Sequence, residues 1–415
     1  MLKKIPIERL KPGMYVHDLG TNWFSHPFLR QQFKVAGEDD LKKIVSAGIR
    51  ELYIDTSKGL DDADAPSTIE VRQQIDKRLD QLGNPPAGQG RNEVAPPART
   101  TVAEELPKAK KIYDQAGRAV RSVMRDVRLG NAVNVAGVED IVGDITDSVS
   151  RNSGALVSLL NLKEADDYTF LHCVAVGTLM VTFGRAMGLD PELVRQGGIG
   201  GLLHDVGKMK VPDAVLNKPG KLTDDEFCII KKHPEIGHEL LVATGAVGEI
   251  PLDITRHHHE RMDGSGYPDK LPADQISLYA RMSAIVDVYD AVTSDRCYHR
   301  AMTPTDAMRK MLEWSKFHFD ETLAHQFMKI VGIYPVGQLV RLESGRLAVV
   351  TDQNETNLLM PKVCAFFSIK SNCHIPPVMV DLSRSLGHGG GDKIVGHENP
   401  HKWGVQPNRF LTPAK

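Results

Sequence analysis

The feature that most restricts how this chain can fold is a His-Asp pair, His204-Asp205, closing an apolar stretch in the part of the sequence richest in histidine. Ten of the sixteen histidines fall between His172 and His325, among them His233 and the triplet His257, His258 and His259. Asp287 follows in an apolar pattern of helical period, with Ala284, Ile285, Val288 and Ala291 on its apolar side. A carboxylate in such company is costly to bury unless it is paired or binds metal. Imidazoles and carboxylates gathered this way are donors for first-row metal ions. Paired ions about 3.5–4 Å apart are a common device for cleaving phosphate esters.

A lone His-Asp dipeptide reads as a surface polar pair, and it is the continuation that changes the reading. Gly207-Lys208 follows at once, and a lysine there can neutralise a phosphate oxygen as a point charge. Thr223-Asp224-Asp225-Glu226 has the form of a capping box, which predicts a helix running towards His233 until Pro234 ends or restarts it. Neighbouring helical residues point about 100° apart, so His257, His258 and His259 cannot all bind one ion from a regular helix. The loop Asp263-Gly264-Ser265-Gly266 ends that helix, which lets two of the three act and leaves one as a neighbour. His238 reads as structural. Asp290, three residues after Asp287, reads as a supporting partner or a helix-end contact.

A length of 415 residues implies two or three domains. The net charge of -2 gives no broad field for a nucleic-acid polymer or an anionic membrane, so any phosphate recognition must be local. No run is expected to reach the roughly 18 apolar residues that span a bilayer, and the N-terminus lacks the apolar core of a signal peptide. The five cysteines are scattered without a CxxC pair, which points to a reducing, cytoplasmic setting.

Along the chain, residues 1–57 read as a small α/β unit, with strands near 14–16, 33–35 and 51–54 and a helix over 39–47. Residues 58–103 read as a flexible linker that lets this unit move, and 104–141 as connecting helices. Residues 142–337 carry the metal constellation on helices. Residues 338–415 turn to strands, near 339–342 and 347–350, and end in a loose tail. The expected class is mainly α: a helical bundle holding a metal site, with a small N-terminal α/β domain and a strand-containing C-terminal segment.

The motifs HDVGK at 204–208, HPEIG at 233–237, HHERMDGSGYP at 258–268 and DVYDAVTSDRCYHRAM at 287–302 together resemble the HD-GYP family, a branch of the HD phosphohydrolases. The N-terminal unit also looks like an uncharacterised domain often found ahead of such modules. The resemblance implies an HD-type bundle that hydrolyses the bacterial messenger cyclic di-GMP to pGpG, and in some members on to GMP. It implies His172, His204, Asp205, His233, His258, His259 and Asp287 as ligands of two divalent ions, iron or manganese by donor type, with Asp205 bridging. Lys208 would hold or polarise the scissile phosphate, Arg296 would bind phosphate, and Gly266 and Tyr267 would shape the rim. Tyr168 stands where some members carry a glutamate for a third metal, which favours two ions. Cys297 and His299 depart from the usual proline and basic residue, which predicts weaker substrate grip. A weakly active or non-catalytic cyclic di-GMP receptor, or a hydrolase of another nucleotide, are the alternatives. A regulatory protein partner is expected at the N-terminal domain or at the Gly266-Tyr267-Pro268 loop.

Overall fold

The computed structural model describes residues 1–20, 32–83, 100–131, 134–160, 168–218, 220, 222–294, 301–354, 357–384 and 391–411. Arg296, Cys297 and His299 lie outside them, as do Trp23 and His26 of the N-terminal unit and the glycines at 387–390. The chain opens with β1 (Leu2–Pro6), β2 (Tyr15–Asp18), β3 (Phe33–Lys34), α1 (Glu38–Ser46) and β4 (Glu51–Asp55). These strands form an antiparallel sheet in the order β1-β4-β2-β3. Ile5, Val16, Leu52 and Ile54 alternate onto its inner face against Ile44 of α1, giving this domain its own core.

Within 58–103, the stretch expected to be a linker, helix α2 (Thr68–Gly83) forms, and residues 84–99 of that stretch lie outside the described residues. Its composition is polar, but Val71, Leu79 and Gly83 are buried, and Arg309 binds Asp76 from the bundle at 2.6 Å. Nor is the N-terminal domain left to drift. Lys4 bridges Glu51 and the buried Glu313 at 2.6 Å each, and the Trp314 indole donates to Gly20 O at 2.6 Å. These contacts, distant in sequence, join to the bundle a unit that the sequence reads as carried on a flexible linker.

The bundle is built from α3 (Val102–Leu129), α4 (Ala136–Leu160), α5 (Tyr168–Ala186) and α6 (Pro191–Leu203), then the short α7 (Asp213–Leu216), α8 (Asp224–Ile230), α9 (His233–Val242) and α10 (Glu249–His257), and finally α11 (Leu278–Thr293), α12 (Pro304–Trp314) and α13 (Glu321–Val331). Local chemistry sets the ends. Thr101 and Glu104 form a capping box for α3, and Asp190 caps α6 with Pro191 in its first turn. Ser277 and Thr303 cap α11 and α12 through their hydroxyls. Helix α5 runs through the middle, with Phe183 packed on Phe327 at 5.5 Å between ring centroids. Its stretch 169–186 is long and apolar enough by composition to cross a membrane, contrary to expectation, and 72% of it is buried inside this fold. An apolar run is what a core helix covered on all sides requires.

After the bundle come β5 (Leu339–Leu342), β6 (Arg346–Asp352), β7 (Lys362–Ser368), β8 (Cys373–Asp381), β9 (Ile394–His397) and α14 (Pro400–Trp403). The five strands form an antiparallel sheet in the order β8-β7-β6-β5-β9. Leu339, Leu347, Val349 and Phe366 face the bundle core, while Val340, Ala348, Val350 and Ala365 fill a second one. The described part of the expected loose tail, residues 391–411, is packed: β9 pairs with β5, and Phe410 stacks on Phe366 at 3.9 Å between centroids. Trp403, Phe410 and Leu411 anchor it, apolar side chains hidden among glycine-, histidine- and proline-rich neighbours.

Candidate metal centre

Helix α6 stops at Leu203, and a 3-10 turn over Val206–Lys210 replaces it. That break frees His204 and Asp205 from helical spacing, so both point into one cavity. Both are fully buried. His172 enters from α5, Asp287 from α11, His233 from the first residue of α9, and His258 and His259 from just beyond the end of α10. As expected, the Thr223–Glu226 capping box starts α8 and Pro234 stands in the first turn of the restarted α9.

The donors fall into two groups. His172, His204 and Asp287 offer ligand atoms within 4.8 Å of one another, and so do His233, His258 and His259. Asp205 stands between them. Its Oδ2 lies 3.3 Å from His204 Nε2 and 3.7 Å from His172 Nε2, while its Oδ1 lies 3.2 Å from His233 Nε2 and 3.8 Å from His258 Nε2. Asp287 likewise reaches both ways, with Oδ1 2.9 Å from His172 Nε2 and Oδ2 3.8 Å from His259 Nδ1. All seven ligand candidates named from the sequence are therefore brought together.

The far side of each ring fixes its tautomer. Nδ1 of His204 faces Gly201 O at 2.8 Å, that of His233 faces Ile230 O at 2.7 Å, and that of His258 faces Thr255 O at 3.0 Å. A carbonyl only accepts, so each Nδ1 carries the proton, and in the neutral ring Nε2 is left with a lone pair facing inwards. His172 Nδ1 meets Asp290 Oδ2 at 2.7 Å, which places Asp290 in the supporting role read from the sequence. The consequence is decisive for fit: Nε2 of His233 and Nε2 of His258 face each other at 3.2 Å, both with lone pairs. His204 Nε2 and Asp205 Oδ1 are buried without a hydrogen bond among the described residues. Converging lone pairs with no donor between them suit a cation, so the donor set fits divalent metal.

Electrostatics agree. Burial alone would raise the Asp205 carboxyl, but His204 and Lys208 hold it well below the usual range. Burial likewise opposes ionisation of Asp287, and its hydrogen bond with His172 overrides that and holds it low. Burial, then the neighbouring imidazoles, push His258 and His259 well below an ordinary histidine. Carboxylates held ionised and imidazoles held neutral are in the protonation states that metals bind. Cys173, expected to stand apart from the ligand set, has its sulfur close to His204 and Asp205. Burial, then Asp205, keep it a thiol rather than the thiolate a metal would take.

A pH dependence follows for the metal-free protein. His233, His258, His259 and His318 all have folded values lowered chiefly by burial. The unfolded chain therefore binds more protons below about pH 6.5, so the stability these groups contribute is present above that value and lost as pH falls. His204 opposes the trend: burial would lower it, but Asp205 overrides that and raises it. Calorimetry of chelated protein should show the unfolding midpoint dropping between about pH 7 and pH 5, and a flat profile would refute the neutral-imidazole assignment.

Lys208 places its ammonium 2.5 Å from Asp205 Oδ2 and is partly open to solvent. Gly266 is buried, and the half-buried Tyr267 ring lies 4.7 Å from that of His259. His257, the odd member of the triplet, turns away to Asp253 and Asp269 at 2.7 and 3.0 Å. Two residues escaped the sequence reading. Lys231 lies over the Tyr267 ring at 4.9 Å, and Glu260, 2% exposed, accepts from the backbone N–H of Asp269, Lys270 and Leu271 at 2.8, 3.0 and 3.1 Å. Only the adjacency of Glu260 to the histidine triplet could have flagged it. Glu260→Ala should cost about 3 kcal/mol, because it strands several backbone donors at once. Urea midpoints test this, and Glu260→Gln, which keeps an acceptor, should lose less.

Buried imidazoles and carboxylates from separate helices, arranged around a His-Asp pair, define an HD-type metal centre. A family model described as an HD domain matches residues 150–323, and one described as a domain of unknown function (DUF3391) matches 2–138. A cyclic di-GMP phosphodiesterase of Pseudomonas aeruginosa is 45% identical over 97% of this chain and 94% of its own length. The cyclic di-GMP phosphodiesterase response regulator RpfG of Xanthomonas campestris is 47% identical over 29% of this chain and 32% of its own length. A 3'3'-cGAMP-specific phosphodiesterase of Vibrio cholerae is 38% identical over 31% and 24%. The chain belongs to the HD-GYP family, with a DUF3391 domain ahead of its HD domain.

Proposed function

We propose that this protein is a metal-dependent phosphodiesterase that opens cyclic di-GMP to pGpG, acting in the cytoplasm. One observation carries the reading: two groups of inward-facing donors share Asp205, whose two oxygens address one group each. In this reading His172, His204, Asp205 and Asp287 would hold one divalent ion, and Asp205, His233, His258 and His259 would hold the other. A donor set of imidazole and carboxylate, without thiolate, favours iron or manganese. Bound there, such ions would supply an activated water and neutralise charge on the phosphoryl oxygens.

The protein's own groups do the rest. Lys208, at the cavity mouth, neutralises the incoming phosphodiester as a point charge. Asp290 holds the His172 ring in register through Nδ1. Tyr267, packed between the His259 ring and the Lys231 ammonium, shapes the edge of the site that the substrate would meet. The described cysteines are free thiols, which supports a reducing compartment.

The test is chromatography of products after incubating metal-loaded protein with cyclic di-GMP, with 3'3'-cGAMP in parallel. Formation of pGpG that stops on chelation and returns with iron or manganese is the expected result. Preference for 3'3'-cGAMP would reassign the substrate, and tight binding of cyclic di-GMP without product would make the protein a receptor.

A further inference from the structure

The turn joining α1 to β4 in the N-terminal domain lies directly on the loop that carries Tyr267. Gly48 has φ +73, and a Cβ built there would sit 2.6 Å from Ser265 Cβ. The two backbones approach this closely only because residue 48 has no side chain. Arg50 Nε lies 3.8 Å from Asp263 Oδ2, while Asp263 Oδ1 accepts from Ser265 N and Oγ at 3.0 and 2.6 Å. Arg50 is half exposed and its pairing with the buried Asp263 is long, so the ion pair contributes little alone and the close packing is the principal contact. From Ser265 the loop runs straight to the cavity: Tyr267 N donates to His259 O at 3.2 Å, and its ring covers that of His259.

The domain behind this turn cannot back away. Trp314 and Glu313, consecutive residues of α12, are tied to Gly20 and to Lys4 and Tyr53 respectively. We propose that the N-terminal domain is a built-in brace for the 263–267 loop, which makes Gly48 and Arg50 positioning residues for the substrate held against Tyr267. The inference rests on the hydrolase reading above for what the loop contacts, and on the geometry alone for the brace itself. It also gives the domain of unknown function a role, that of setting the height of the rim over the metal centre.

The test compares full-length, metal-loaded wild type with Gly48→Ala, Arg50→Glu, Ser265→Gly and the double variant Gly48→Ala/Ser265→Gly. Gly48→Ala is expected to raise KM for cyclic di-GMP about fivefold, with kcat and metal content within about twofold. Hydrolysis of bis(p-nitrophenyl) phosphate, too small to reach the rim, should stay unchanged. Ser265→Gly makes room for the new methyl group, so the double variant should recover relative to the sum of the singles. Arg50→Glu, which alters only an exposed side chain, should move KM in the same direction by less. Amide exchange at residues 262–267 should accelerate in Gly48→Ala while that of α11 does not. An unchanged KM or unchanged exchange in Gly48→Ala overturns the proposal, as does the absence of rescue or parallel loss of both activities. Should wild type leave cyclic di-GMP intact, the hydrolase reading falls, and the exchange measurement still decides the brace.

Discussion

Asp205→Asn is expected to lower cyclic di-GMP hydrolysis by about a thousandfold or more while leaving the helices folded. The asparagine keeps the shape of the side chain but removes the negative charge that lies between the two donor groups, leaving Asp287 as the remaining carboxylate that reaches both. Asp205 faces His204 and His172 on one side and His233 and His258 on the other, all within 3.8 Å. In the proposed two-ion reading, the repulsion between the ions would then no longer be screened by a charge between them. The Lys208 ammonium, 2.5 Å away, also loses its counter-charge and is left facing the same cations. Elemental analysis should find less than the wild-type metal content, and circular dichroism should find the helices intact. A variant that keeps two equivalents of metal and near-normal turnover would remove Asp205 from the bridging position.

Gly207→Ala should be the most damaging methyl group that can be added near the site. A Cβ at that position would lie 2.0 Å from His233 O and 2.6 Å from Gly237 N. Both are backbone atoms of α9, so no side chain can rotate aside. The 3-10 turn and α9 must separate, which costs about 3 kcal/mol or more by overpacking. The movement also draws His233 Nε2 away from Asp205 Oδ1, now 3.2 Å apart, so the metal group of α9 should be lost along with stability. Denaturant midpoints and metal content should fall together. A normal midpoint in Gly207→Ala would mean that the turn and helix are not packed as described.

How far the sequence could be read depended on whether a feature was local. The capping box at Thr223, the restart at Pro234 and the donor types of the seven ligand candidates are written in short stretches, and each is legible without coordinates. Where the periodicity was weak, reading failed. The 58–103 stretch looks like a linker because α2 is polar on most of its surface, yet three buried positions seat it. The C-terminal end looks loose because its few anchoring aromatics are diluted by glycine and proline, yet Phe410 finds Phe366 across the sheet. Strand β1 carries too little alternation to stand out, and its partner β4 begins only at Glu51, far along the chain. Such pairing is a property of the folded chain.

The chain's residue order by itself determined the chemistry on offer: imidazoles and carboxylates on helices, a lysine after the His-Asp pair, a tyrosine in a glycine-rich turn. Tertiary structure alone decided how they are used. It sent His257 to Asp253 and Asp269 while His258 turned inwards, fixed His204, His233 and His258 through backbone carbonyls and His172 through Asp290, and laid Gly48 on Ser265. The physical reason is that helical spacing fixes which way neighbouring side chains point relative to one another, whereas the meeting of separate elements around Asp205 depends on packing between surfaces far apart in sequence.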